Sequence, residues 1–325
     1  MYIWFVLALL IANIYANPSQ CYASNLQEFI DSVNSPNCDI IRITNNINVY
    51  SDVVISGISD KTIVSDGGRF TLYNGARINF TDSSNLIFRN INVTRGNIGR
   101  DRHFNIINGT NITIINYTHT HFTFNSLYIV RSKDITIQDI NSHFNSEAII
   151  VDSTNNITIK NSKFSYAGSI LNIFNSKNIT IENTSFIKTN RYWGRGVFIS
   201  NSEGVLMDNI TFINSSINHL RFYNSKDILL NRIKMSDFIT EGIIIERVNN
   251  MTIQNSEIFN FLKRGVLVYN SSVNFTNNTI WNFIRSGIFI DSRTHPSNVY
   301  IDQVNFTRYV RYRIYNCTVG DCYQG

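Results

Sequence analysis

Short apolar–polar alternations recur along this chain at a nearly constant spacing. Ala148 to Phe164 reads AIIVDSTNNITIKNSKF, and Ile170 to Phe186 reads ILNIFNSKNITIENTSF, a near copy. In each copy Asn-Ile-Thr-Ile sets apolar residues two apart, the period of a strand whose successive side chains face opposite sides. Ile157 and Ile159 are therefore predicted to point inward, Thr158 and Lys160 outward. The turn residues preceding these strands are Asn85, Asn111, Asp134, Asn156, Asn178, Gly204, Asp227, Asn250, Ser272 and Asn298, at steps of 22 to 26 residues. A second set of strands falls between them, near Leu127, Ala148, Ile170, Val197, Leu220, Ile243, Val266 and Ile288. A bulky residue follows each anchor strand: Phe144, Phe164, Phe186, Phe212, Met235, Ile258, Ile280 and Phe306. Two or three short strands per coil, repeated about ten times, predict an all-β solenoid. Equivalent residues of successive coils would lie about 4.8 Å apart, so Ile stacks on Ile inside and Asn on Asn at the turn. Asn suits that turn because it tolerates left-handed backbone and its amide can bond the next Asn along. The frame of a leucine-rich repeat is absent, and a propeller blade needs roughly 40 residues and four strands.

The ends read differently. Ser24 to Val33 places Leu26, Phe29, Ile30 and Val33 on one helical face, with Ser24 as N-cap. This short α-helix is expected to cover the open end of the first coil, where free strand edges would otherwise be exposed. Tyr2 to Ala12 is almost wholly apolar and ends in small residues, which predicts a signal peptide cut after Ala16. No Lys or Arg precedes the run, and an uncleaved anchor is the alternative. The run is nevertheless short of the roughly 20 residues that a membrane span needs. The expected organisation is a signal peptide over 1–16, an N-terminal cap over 17–39, coils over 40–315 and a disulfide cap over 316–325.

The remaining composition narrows the class. A single elongated domain suits 325 residues, because repeat architectures escape the usual size limit of one globular core. The net charge of +5 is spread along a rod rather than gathered into a patch, which argues against a nucleic-acid partner. Cys21 and Cys38 open the mature chain and Cys317 and Cys322 close it, so a rod keeps the two pairs apart. Cys21–Cys38 and Cys317–Cys322 disulfides are expected, in keeping with an extracellular, oxidising compartment. No Cys/His cluster suggests a metal, and no motif implies a cofactor.

The pattern Gly-Val/Ile-x-Ile-x-x-Ser-x-Asn-Ile-Thr-Ile-x-Asn-Ser-x-Phe, running from about Ile40 to Tyr315, resembles the right-handed parallel β-helices of the pectin-lyase-like superfamily. The resemblance implies a single right-handed parallel β-helix capped by an N-terminal helix. It does not imply one activity, since the superfamily holds polysaccharide lyases, glycoside hydrolases, epimerases, adhesins and viral tail proteins. Polygalacturonase-like enzymes carry Asn-Thr-Asp, an Asp-Asp pair and Gly-His-Gly, and none occurs here. Arg232-Ile233-Lys234 matches their Arg-Ile-Lys without its companions. The Trp-Ile-Asp-His of pectate lyases and a dense Asp cluster for calcium are also missing.

Three groups of residues carry candidate chemistry. Asn-x-Ser/Thr sequons occur at Asn79, Asn92, Asn108, Asn111, Asn116, Asn156, Asn178, Asn183, Asn209, Asn214, Asn250, Asn270, Asn274, Asn277, Asn305 and Asn316. An exported chain in a glycosylating cell would carry sugar on the exposed ones, although many arise simply because Thr suits the outward strand position. The second group ends the second strand of each coil: Arg131, Asp152, Asn175, Asn201, Asn224, Glu246, Asn270 and Asp291. In it Glu246 and Asp291 would lie about 10 Å apart, near the separation at which two carboxylates flank a water and a glycosidic bond. Solvated turn residues are the plainer reading. The third group precedes the second strand and collects Tyr192, Trp193, Arg195, His219, Glu241, Lys263, Arg264, Trp281 and Arg285. Aromatic faces stack on sugar rings, and Arg forks bind carboxylate or sulfate. Family resemblance makes this column the candidate ligand groove, with Lys263 or Arg264 as a lyase-type base; a solvated positive edge is its alternative. His103, His119, His121 and His143 are expected to face solvent. The expectation is a secreted, N-glycosylated β-helix binding a glycan, acidic in character, or a protein partner. The alternative is a lyase-like or hydrolase-like enzyme using Glu241, Lys263, Arg264, Glu246 and Asp291.

Overall fold

The computed structural model describes residues 18–96, 103–120, 127–143, 147–165, 169–187, 196–215, 220–293, 296–317 and 322–324. They wind into an all-β, right-handed parallel solenoid of about 11 turns with one short helix. Each coil passes through three faces. Face A is built from strands such as Leu220–Tyr223 and Ile243–Glu246, and face B from strands such as Lys133–Gln138 and Asn155–Lys160. Face C carries Phe164, Phe186 and Phe212. Pairing is parallel and in register, so Ile157 lies over Ile179 and Ile159 over Ile181. All four isoleucines are buried, while Thr158 and Lys160 face outward. On face C the rings of Phe164, Phe186 and Phe212 stack nearly parallel, with centroids 5.4 and 4.9 Å apart. Ser142 is the register partner of Phe164, and Phe144 lies outside the described residues.

The corners are made by left-handed residues. Asn85, Asn111, Asp134, Asn156, Asn178, Asp227 and Asn250 have φ of 53 to 57°, and Gly204 has 68°. Ser272 and Asn298 keep the register of that column without its left-handed backbone. Amides bond down the column, Asn111 Nδ2 donating to Asn85 Oδ1 at 2.8 Å and Asn178 Nδ2 to Asn156 Oδ1 at 3.0 Å. Two further left-handed columns exist, Asn175–Asn201–Asn224 between faces A and B, and Asn161–Asn183–Asn209 between B and C. Beneath the first runs a buried serine ladder. Ser176 N–H donates to Ser202 Oγ and Ser202 N–H to Ser225 Oγ, both at 3.2 Å. The Ser202 and Ser225 hydroxyls donate in turn to carbonyls two residues back, at 2.8 and 2.9 Å. A tight corner buries amides that no strand can pair, and the serines satisfy them.

The helix Leu26–Asn34 covers the first coil with Phe29 and Val33 fully buried, and Phe29 meets Phe70 edge-on at 5.1 Å. Its N-cap is Asn25, not Ser24: Asn25 Oδ1 accepts from Glu28 N–H at 3.0 Å. Ser24 instead donates its N–H and hydroxyl to the Glu28 carboxylate at 2.8 and 2.7 Å. Those bonds hold the Glu28 carboxyl below its ordinary range. A Cys21–Cys38 disulfide ties the cap, with Cα atoms 5.6 Å apart. The buried Lys61 ammonium donates to the Ser35 and Cys38 carbonyls at 2.8 and 2.7 Å. At the other end Cys317 and Cys322 are cross-strand partners in an antiparallel pair, and their side chains lie outside the described residues. Among the described residues no helix is long and apolar enough to cross a membrane.

Two histidines depart from expectation. His103 and His119 are buried, at 2 % and 1 % exposure. His119 occupies an inward position of face C, in register with Val93 and Phe70, and packs on Tyr117 at 5.6 Å. His121 lies outside the described residues, as does the side chain of His143.

Two successive coils enter face A through glycines, Gly242 and Gly265, that have no room for a side chain. A Cβ on Gly265 would come within 2.7 Å of both the Phe283 ring and the Gly287 carbonyl. Gly265→Ala is expected to cost about 1–3 kcal/mol in urea denaturation. An unchanged midpoint would show that this corner yields easily.

Candidate functional site

Strand parity decides what face A shows to solvent. Leu220 and Phe222 point into the core, which turns Arg221 and Tyr223 outward. Register extends these into two columns, Arg221–Ile244–Leu267–Phe289 and Tyr223–Glu246–Tyr269–Asp291, although Phe289 at the end of the first is buried. Phe198 continues the first column upstream, and Phe174 and Ser200 the second. The outward positions of face B at the same level are Leu206, Leu229, Thr252, Asn274 and Tyr300, then Asp208, Asn231, Gln254, Thr276 and Asp302. Face A thus gathers most of the aromatic and arginine side chains at this level, while face B mixes polar residues with Leu206, Leu229 and Tyr300.

The arginines on face A lie over its rings. Arg221 stands 5.7 Å from the Phe198 centroid, Arg247 5.6 Å from Tyr223, and Arg264 4.0 Å from Phe289. Arg247 also donates to the Tyr223 hydroxyl at 2.9 Å. Each carboxylate of this region holds an arginine: Glu246 with Arg221 at 2.8 Å, Glu241 with Arg264 at 3.4 Å, and Asp291 with Arg293 at 2.6 Å. The bonds from Arg293, chief among the causes, keep the Asp291 carboxyl below its ordinary range.

Glu246 and Asp291 do share a column two coils apart, with Tyr269 between them. The asparagines grouped with them in sequence do not. Asn175, Asn201, Asn224 and Asn270 fall one residue later, in the left-handed corner with Arg131 and Arg247. Asp152 belongs to the carboxylate column, several coils upstream. A general acid needs a carboxyl whose pKa is raised, whereas Asp291 is shifted the opposite way. Each of the two carboxylates is paired with an arginine, Glu246 with Arg221 and Asp291 with Arg293.

Glu241, Lys263, Arg264 and Arg285 lie in the connections that lead into face A, and Arg285 N–H donates to the Lys263 carbonyl at 3.2 Å. Trp281 does not sit in that connection. It lies on face C, in register with Phe259, and the two rings stack at 4.6 Å with planes 1° apart. Phe259 covers one face of the indole. Tyr192, Trp193, Arg195 and His219 fall outside the described residues. Arg232 lies in the B/C corner, paired with Asp208, away from face A. Sequence reading missed Phe198, Arg221, Tyr223, Tyr269 and Phe289. Reading the second strand at its outward positions, rather than at its end, would have found them.

Beside face A, a crease of about 360 Å³ follows the A/B corner, floored by Ser176, Ser202 and Ser225. Glu203 bridges Lys177 at 3.2 Å and Lys226 at 2.9 Å along its wall, and Arg247 closes one end. Among the described residues, no three His, Cys, Asp or Glu side chains gather as a metal site.

Known structures share the architecture. The A-module of the Azotobacter vinelandii mannuronan C-5 epimerase AlgE4 is 14 % identical, with a TM-score of 0.60 over 94 % of this chain and 91 % of that one. The catalytic unit of a Streptomyces thermodiastaticus GH87 α-1,3-glucanase is 15 % identical, with a TM-score of 0.59 over 96 % and 69 %. The enzymatically active domain of tailspike protein 2 from bacteriophage CBA120 is 14 % identical, with a TM-score of 0.65 over 90 % and 52 %. At such identities the likeness is one of fold. No curated protein matches the chain in sequence. The family model described as the right-handed β-helix region matches residues 147–320, more than half of the chain. With its coils, register and handedness, this protein belongs to the right-handed β-helix family.

Proposed function

We propose that this protein is a secreted glycoprotein that binds an acidic glycan lengthwise on face A, without turning it over. The observation that carries the reading is that Arg221 on face A, and Arg247 and Arg264 at its edges, lie over the rings of Phe198, Tyr223 and Phe289. A guanidinium has five N–H donors in a fixed fork, and a neighbouring carboxylate orients it without using them all. Rings and forks spaced about 4.8 Å apart suit an extended polymer of carboxylated or sulfated sugars. The Lys177–Glu203–Lys226 crease adds cationic groups along the same edge. Structural neighbours named for action on mannuronan and α-1,3-glucan support a carbohydrate ligand. The Cys21–Cys38 disulfide supports export. Asn214, Asn274 and Asn305 are exposed sequons in described segments, and loss of mass on glycosidase treatment of exported material is expected.

The second reading, an enzyme, rests on Glu246 and Asp291 sharing one outward column. Both readings are tested by titrating uronic-acid and sulfated polysaccharides into the full chain. Binding weakened by salt is expected, and Arg264→Ala or Tyr269→Ala should weaken it about tenfold or more. No shortened or unsaturated product should appear. Absence of binding to every acidic polysaccharide would end the proposal. Product formation abolished by Glu246→Gln would replace it with the enzyme.

A further inference from the structure

Few large apolar side chains are exposed among the described residues, and three of them make one column. Ile239, Leu262 and Ile284 are 44 %, 50 % and 59 % exposed. Each follows an inward phenylalanine, Phe238, Phe261 or Phe283, and those three are register partners in successive coils. Leu262 N–H donates to the Phe238 carbonyl at 2.9 Å, which continues the register into the exposed residues. The column therefore forms a ridge along the corner between faces C and A, parallel to the rod.

Nothing in the packing of the coil asks for aliphatic residues at this position, since the inward phenylalanines already fill the core. A polar residue would satisfy the corner and lower the exposed apolar area. Keeping Ile, Leu and Ile in three consecutive coils points to something that covers them. The next residue in two of the coils is a cation, Lys263 or Arg285, and both are exposed. Neither forms an ion pair among the described residues. The cation nearest the Phe259–Trp281 stack on face C, Lys234, is already balanced by Glu257 at 3.4 Å.

Two features choose the occupant. A corner of the solenoid is convex, so it offers no groove for a peptide or a sugar chain. Pairing with a second copy through the same ridge would set Lys263 and Arg285 against their own counterparts. A soft anionic surface avoids both difficulties. Aliphatic side chains enter the boundary between headgroups and acyl chains, while neighbouring cations meet the anionic headgroups. We propose that the Ile239–Leu262–Ile284 ridge docks the rod, lying flat, on an anionic lipid bilayer. This docking is independent of glycan binding by face A. It would hold that face beside the membrane surface.

The test is co-sedimentation of the full chain with phosphatidylcholine vesicles, with and without phosphatidylserine. Binding is expected to the mixed vesicles and to fall as salt rises. The triple variant Ile239→Ser, Leu262→Ser, Ile284→Ser should bind them at least about tenfold more weakly. Lys263→Gln and Arg285→Gln should each cost about fivefold. Thermal unfolding and binding of soluble acidic polysaccharide should be unchanged in the triple variant, which separates this surface from face A. No binding to mixed vesicles, or binding undiminished in the triple variant, overturns the proposal. So does a dimer in sedimentation velocity that the triple variant converts to monomer, because the ridge would then join two copies.

Discussion

Phe186→Ala is expected to lower the free energy of unfolding by about 3–5 kcal/mol. Phe186 is fully buried and lies between Phe164 and Phe212, 5.4 and 4.9 Å away. Truncation removes two aromatic stacks and leaves a void that the coils cannot close. Their spacing of about 4.8 Å is held by backbone bonds, so the neighbouring rings cannot move together. Phe186→Leu, which refills much of the space, should cost less than about 1.5 kcal/mol. In a solenoid each coil contacts only its neighbours, so a weak joint here should also split or broaden the transition. Urea denaturation followed by circular dichroism measures both effects. A loss below about 1 kcal/mol would mean that face C is not the packed core described.

Acidification should weaken the protein through His119 before it reaches the carboxylates. Burial, with a smaller contribution from His103, pushes the His119 imidazole down to about 3 from its ordinary 6.5. Between those values the unfolded chain binds a proton that the folded chain refuses, so stability falls as pH drops. It is complete above about pH 6.5 and declines by about 3 kcal/mol on reaching pH 4. Below that, Glu28, Asp39, Asp60 and Asp208 begin to lose the hydrogen bonds that depress their pKa values. Tyr117, raised by burial, stays protonated throughout. In His119→Leu the difference in stability between pH 7 and pH 4 should shrink by about 3 kcal/mol. An unchanged difference would place the acid sensitivity elsewhere.

How much was legible depended on range. The inward isoleucines followed from alternation alone, and the Asn column from its recurrence. The cap helix was legible too, but its first residue was not. Ser24 and Asn25 are both competent N-caps, and the choice fell to Asn25 once Glu28 could reach back to Ser24. His119 was misplaced because its strand is only three residues long, too short to show an alternation. Its parity becomes plain beside Val93 and Phe70. The candidate site was partly legible. Glu246, Asp291 and Arg264 were singled out, yet the rings beside them were not, because aligning on strand ends mixed outward residues with corner residues.

The chain by itself determined the solenoid, its repeat length and the side of the residues in its regularly alternating strands. Those properties are local, set by the two-residue period of a strand and by turn residues that tolerate left-handed backbone. Only the tertiary structure decided which outward residues meet. Partners on adjacent coils lie 22 to 26 residues apart in the A–B ladder, and connections of unequal length shift any alignment made along the sequence. Backbone bonds between coils remove that ambiguity. They set Glu246 on Arg221, Arg264 over Phe289, and Ile239, Leu262 and Ile284 in one exposed line.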